Sequence, residues 1–324
     1  MKRSHQILTA ALVIQLLISV LVFWPRQADS RPGAILLPDL EAEEVISLTL
    51  QDNDGQRLTL RKVAGAWVLP EADDYPARES VIMPILEKIA TLSSATVVAR
   101  TAASHIQLQV AEDAFVRRLD LEMEDGARHT VYIGSAPRAT AAHIRVAGQP
   151  ETYLTTQLSS WELNVQASHW IDTLYIEIDQ ADVTEVTLEN AQGSFTLVRD
   201  EEQDTWTLID LAADETIAVA QTSAVVRNAT RLSMLRPLGT VEEPVYGMDN
   251  PQATVMLQTE DGVVHMLTVG DQDPVDNTYV VKYSDSAYYV RVAGFNVSAM
   301  VENSREDFLS PPVTESEELE LPTP

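Results

Sequence analysis

Not one of the 324 residues is cysteine. That absence removes disulfides, thiol catalysis, cysteine-ligated zinc and lipid attachment at an N-terminal cysteine. Positive charge is scarce as well: 22 lysines and arginines face 49 aspartates and glutamates, for a formal net charge of −27. A chain this acidic repels phosphate backbones and anionic headgroups at long range, so nucleic acid is not an expected partner. Catalytic signatures are missing too. The sequence has no G-x-S-x-G elbow, no G-x-x-x-x-G-K-[ST] phosphate loop and no G-x-G-x-x-G after a strand. Carboxylates are so abundant that a pair could be nominated anywhere, and no pair stands out. No enzyme activity, cofactor or metal is expected.

What the chain does have is an apolar start. Lys2 and Arg3 precede "ILTAALVIQLLISVLVFW", eighteen residues from Ile7 to Trp24. At about 1.5 Å per residue the run spans roughly 27 Å, close to the hydrocarbon thickness of a bilayer. A cleaved signal peptide has an apolar core of about 7–15 residues and a small-x-small cleavage site. Here the run is longer and ends in Val22, Phe23, Trp24 and Pro25. An uncleaved single-pass anchor is expected, with the short N-terminus in the cytoplasm, Trp24 at the opposite interface and the bulk of the chain extracytoplasmic.

Residues 1–25 are thus read as a cytoplasmic stub plus anchor, and 26–42 as a linker broken by Pro32, Gly33 and Pro38. Residues 310–324, "SPPVTESEELELPTP", form an acidic tail poor in large apolar groups and expected to be disordered. Between them, residues 43–173 and 174–309 read as two copies of one unit, offset by roughly 137 residues. "VISLTL" turns at Asp54-Gly55, returns as "RLTLRK" and reaches Trp67; "VTEVTL" turns near Gly193, returns as "SFTLVRD" and reaches Trp206. Each copy then offers one helix, from Glu79 and from Val219, with apolar residues at three-and-four spacing: Ile82, Ile85, Leu86, Ile89 and Val225, Val226, Ala229, Leu232. Pro84 is tolerable in a first turn, which places the first helix start near Ser80 or Val81. Hairpins follow in both. The expected fold class is α+β: a transmembrane helix, then two tandem, mainly antiparallel β-rich repeats with one helix each, because hairpin-length loops cannot make parallel crossovers.

The hairpin that follows each helix, ahead of a last strand pair, is written twice, as "EDGARHTVYIG" ending at Gly134 and "EDGVVHMLTVG" ending at Gly270. Strand parity puts His129 with Val131 and Ile133, and His265 with Leu267 and Val269, on the apolar face. Each imidazole is expected to pack at a core border and bond a turn carbonyl. No further ligand at metal spacing accompanies either histidine.

"DNDGQ" from Asp52 and "DQDPVDN" from Asp271 resemble pieces of calcium loops, but neither ends in a bidentate glutamate, and both read as hairpin turns. Asn228 and Asn296 stand in glycosylation triplets. Tyr279, Tyr283, Tyr288 and Tyr289 crowd one hairpin. Cross-strand aromatic pairing accounts for them; as an alternative, Tyr279, Tyr283 and Tyr289 offer a face on which envelope polysaccharide could stack.

In the second copy the early hairpin closes in "DTWTLI" at Trp206, and "VYGMDNPQATVMLQTEDG" follows the helix, then "LTVGD", "NTYVVKY" and "REDFL". Tyr246, Gly247, Asp249 and Pro251 make a Y-G-[LM]-D-x-P pattern, and Gly262 closes the D-G turn. This pattern resembles the DUF4340 family, a domain of unknown function, over roughly residues 43–309. The first copy keeps Asp113 at the place of Asp249 but lacks the tyrosine, glycine and proline. The motif reads as a shaped turn: Gly247 takes a positive φ, Asp249 bonds the backbone ahead and Pro251 fixes entry into the strand. The resemblance implies a bacterial, extracytoplasmic companion of ABC-type transport systems related to the gliding-motility kind. Its partners would then be the membrane, through Ile7 to Trp24, and ABC permease and ATPase subunits.

Overall fold

A computed structural model describes residues 33–93, 96–138, 140–200 and 203–311. The expected anchor from Ile7 to Trp24 and the acidic tail beyond Pro311 lie outside these residues. Among the described residues no helix is long and apolar enough to cross a membrane.

Alternating side chains build the first sheet. Its strands are β1 (Val45–Asp52), β2 (Arg57–Val63), β3 (Ala66–Leu69) and β4 (Tyr75–Pro76), then helix α1 (Glu79–Ala90), β5 (Val97–Ala99), helix α2 (Ala102–Gln107), β6 (Arg117–Met123), β7 (Arg128–Ile133), β8 (Ala142–Val146) and β9 (Thr152–Thr155). After β10 (Leu174–Glu177) the second repeat contributes β11 (Val183–Asn190), β12 (Gly193–Asp200), β13 (Thr205–Leu208), helix α3 (Val219–Thr230), β14 (Arg231–Ser233), β15 (Arg236–Gly239), β16 (Ala253–Thr259), β17 (Val264–Asp273), β18 (Thr278–Tyr283), β19 (Tyr289–Ala293) and helix α4 (Gly294–Glu302).

The nine-stranded sheet runs β4-β3-β2-β1-β6-β7-β8-β9-β5 and the eight-stranded sheet β13-β12-β11-β16-β17-β18-β19-β15. Apart from β4 the two orders are equivalent, and every pairing is antiparallel. Even the irregularity repeats. Pairing of β1 with β6 slips between Val45 and Ser47, and pairing of β11 with β16 slips between Val183 and Glu185.

Each repeat carries two helices among its described residues, not one. Helix α2 is only six residues long, too short to show a period, and starts where the Thr101 hydroxyl accepts the Ser104 amide at 3.2 Å. Helix α4 follows the last strand and buries Val297 and Met300 one turn apart. Helix α1 also begins earlier than expected, at Glu79, which leaves Pro84 as the sixth residue of the helix and removes the amide that Ser80 would otherwise bond. Burial of Ile82, Ile85, Leu86 and Ile89, at about 1.5–3 kcal/mol per side chain, outweighs that loss.

One apolar core runs through both repeats, from Leu36 to Phe308. The segment after β9 closes back onto the first repeat: Trp170 is fully buried, its indole donates to Asn164 O at 2.7 Å, and its carbonyl accepts the Arg78 amide at the head of α1. Across the seam between the repeats the Tyr75 and Tyr288 rings meet edge to face at 4.7 Å.

Candidate functional site

The repeated hairpin and the tyrosine motif meet at one crossing. At Gly270, the closing glycine, a Cβ would stand 2.0 Å from the carbonyl oxygen of Tyr246; at Gly134 it would stand 2.1 Å from that of Leu108. The glycine recurs because a chain segment passes directly over the strand in both repeats. In the second repeat the passing segment turns through Gly247, whose φ is +69°, and the Asp271 carboxylate occupies the space of a side chain there. In the first repeat the left-handed residue beside the crossing is Gln109, with φ +58°. Gln109 therefore stands at the place of Gly247. This corrects the expected alignment of Asp113 with Asp249, which slides the motif by two residues.

Tyr246 is buried under that crossing. Its ring lies 5.3 Å from Tyr289, and with Val280 the two form a small apolar cluster. Asp249 is exposed and makes no hydrogen bond among the described residues, so the expected backbone bond is not formed; the turn is closed by the Asn250 amide on Gly247 O at 3.4 Å. Pro251 is exposed ahead of β16, and the Gln252 amide on Val269 O at 2.8 Å opens the pairing. Trp206 is buried in β13, its carbonyl accepting the Thr222 hydroxyl of α3 at 3.2 Å. Gly262 takes φ +82° in the D-G turn, as Gly126 does at +86° in the first repeat.

The three tyrosines grouped as a ligand face do not share one. Tyr279 and Tyr283 join the main core, while Tyr289, paired with Lys282, lies on the opposite face of the sheet with Tyr246. All three are buried. The Tyr289 hydroxyl donates to Glu242 Oε2 at 2.8 Å, and burial, then that carboxylate, push its pKa up to about 12. The calcium-like stretches are turns whose carboxylates bond their own backbone: Asp52 Oδ1 accepts the amides of Asp54 and Gln56 at 3.0 and 2.8 Å, and Asp273 Oδ1 accepts that of Val275 at 2.9 Å.

The two histidines part company. Both lie on the apolar face, opposite Leu121 and Leu257. His129 Nε2 is buried without a hydrogen-bond partner. His265 Nδ1 lies 2.8 Å from Asp285 Oδ2 and 2.9 Å from the Tyr283 hydroxyl, and that hydroxyl donates to Asp285 at 3.0 Å. Neither imidazole bonds a turn carbonyl as expected, because the second strand pair places a tyrosine and an aspartate above His265. Burial raises the Tyr283 phenol well above its ordinary range, and hydrogen bonds, first from Ser284, hold Asp285 below the usual carboxylate range.

This trio lines a cleft of about 630 Å³ together with Glu177, Asp179, Asp182, Glu260 and Asp261. Sequence reading missed it, since its walls come from β10, the turn before β11, the β16–β17 hairpin and the β18–β19 turn. A phenol kept protonated is no general base at neutral pH, and the Thr259 hydroxyl is engaged with Asp261 at 2.6 Å. What the cleft does electrostatically is favour positive charge.

Residues 67–244, more than half of the chain, match the family described as domain of unknown function, DUF4340. The chain belongs to the DUF4340 family. The DUF4340 match opens at Trp67 in β3 and closes at Pro244, so it runs across the seam, includes Trp206 and stops short of Tyr246. No curated protein and no solved structure is detectably similar to the chain.

Proposed function

We propose that this DUF4340 protein is a membrane-anchored, extracytoplasmic scaffold or interaction module, accessory to an ABC-type transport system. The carrying observation is the fusion of two equivalent sheets through one core, with the motif's Tyr246 buried and its carbonyl held against Gly270 at the crossing. Such a body presents a fixed surface to a partner. The apolar run from Ile7 to Trp24 after Lys2 and Arg3 supports the anchor and its orientation. The transport association rests on the family resemblance.

The test is crosslinking in intact host membranes, recovery under mild detergent, and identification of neighbours by mass spectrometry. Recovery of an ABC permease with its ATPase supports the reading. Loss of both when residues 7–24 are exchanged for an unrelated span places the contact in the membrane. If no transport component is recovered, the accessory role falls.

A further inference from the structure

The first repeat gathers large apolar side chains at the end where the chain enters. Ile35 is 52% exposed and Trp161 is 67% exposed, with Val97 and Val98 of the edge strand at 40% and 43%. Hydrogen bonds bring the segments of Ile35 and Gln157 together at the end of α1. Ile35 bridges Ser93, the Leu36 amide reaches Leu92 O at 2.8 Å, and Gln157 holds both the Ser93 amide and Thr91 O at 3.2 Å. Four residues after Gln157 comes Trp161, beside Glu162, which pairs with Lys88 of α1. Strand β5 continues the same end and, among the described residues, is the edge of the sheet beside β9.

Eleven residue steps separate Trp24 from Ile35. Fully extended they reach at most about 40 Å, whereas a folded body of this length has a radius of gyration of about 19 Å. The tether is therefore no longer than the body it holds, and the surface around Ile35 is the one it keeps nearest the bilayer. Tryptophan is also the side chain best suited to headgroup depth, with an apolar ring and one polar N–H.

We infer that this end of the first repeat rests on the lipid bilayer, with the Trp161 indole and Ile35 inserted at the headgroup level. The inference rests on the anchored reading above. Among the described residues at this end, Lys88 is paired with Glu162 and Arg100 with Glu151. The contact is therefore apolar, and uncharged phosphatidylcholine suffices for it.

The full chain is reconstituted in phosphatidylcholine vesicles carrying a shallow doxyl quencher on the acyl chain. The Trp161 emission is isolated as the difference between wild type and Trp161→Phe. This difference should fall by about half with doxyl lipid and resist aqueous iodide, as an indole at the interface does. Iodide quenching as complete as in detergent, without doxyl quenching, overturns the inference. Shielding from iodide without doxyl quenching assigns the patch to a protein contact and also overturns it. Alkaline extraction of the same vesicles separates the two readings: a chain released into the soluble fraction defeats the anchor, while a chain retained with an unquenched Trp161 defeats only the docking.

Discussion

The carboxylate of Asp73, in the first repeat, accepts two hydrogen bonds from Thr240 of the second, from the amide at 2.6 Å and from the hydroxyl at 2.8 Å. Both partners sit on unusual backbone. Asp73 has φ +53°, and Gly239, just before Thr240, has φ +111° with the same carboxylate oxygen 2.8 Å from where its Cβ would be. Asp73→Ala should lower the urea midpoint of the whole chain in one transition, since the core is continuous. Two separated transitions in that variant would show that the seam, not the core, couples the repeats.

Acid should weaken the fold. Asp73 is held below the usual carboxylate range by the Thr240 amide, and the Arg305 guanidinium lowers Glu215 to about 2 through contacts at 2.5 and 2.8 Å. A carboxyl whose folded pKa is depressed stabilises above its unfolded value and loses that contribution as pH falls through the folded one. Stability should hold from neutral pH down to the ordinary carboxylate range near 4.5 and decline between there and about 2. Urea midpoints measured across this range check it, and Glu215→Gln should flatten the decline.

The crossing makes a prediction about glycines. Gly270→Ala and Gly134→Ala each drive a methyl into a backbone carbonyl, which should cost about 3 kcal/mol or more. Gly55→Ala is the control: φ is +83° with nothing within 4 Å of its Cβ, so only the left-handed strain of about 1 kcal/mol applies. Gln109→Gly should be neutral or stabilise by up to about 1 kcal/mol, strain relief exceeding the added unfolded-state entropy. Chemical denaturation of the four variants separates these cases.

The twin histidines should respond oppositely. His129→Leu removes a buried nitrogen that has no partner and should be neutral or mildly stabilising. His265→Leu removes the partner of Tyr283 and Asp285 and should cost about 1 kcal/mol, the worth of an ordinary hydrogen bond. Equal effects in thermal unfolding would mean that the two rings share one role.

Much of this fold was legible because its cause is local. The period of Val45 to Leu50, the D-G turns and the spacing of Val225, Val226 and Ala229 are written in neighbouring residues, and the strands and α3 follow them. Helix α2 was hidden by its length, and Pro84 misled because tertiary burial overrode its local cost. The hidden cleft and the two-faced tyrosines needed pairings between residues such as Glu177, Asp261 and Asp285, which no local pattern encodes. The closing glycines were visible as a repeat, but their reason, a carbonyl from another segment, was not.

The chain enters the body by laying Leu36 against Leu92 and burying Leu36, Leu37 and Leu40 in the shared core. Any tension on the N-terminal segment is therefore borne first by that short clasp at the end of α1. From there the load passes into the hydrophobic core common to both sheets. Pulling on one end loads both repeats together, because the clasp and the two sheets share one core.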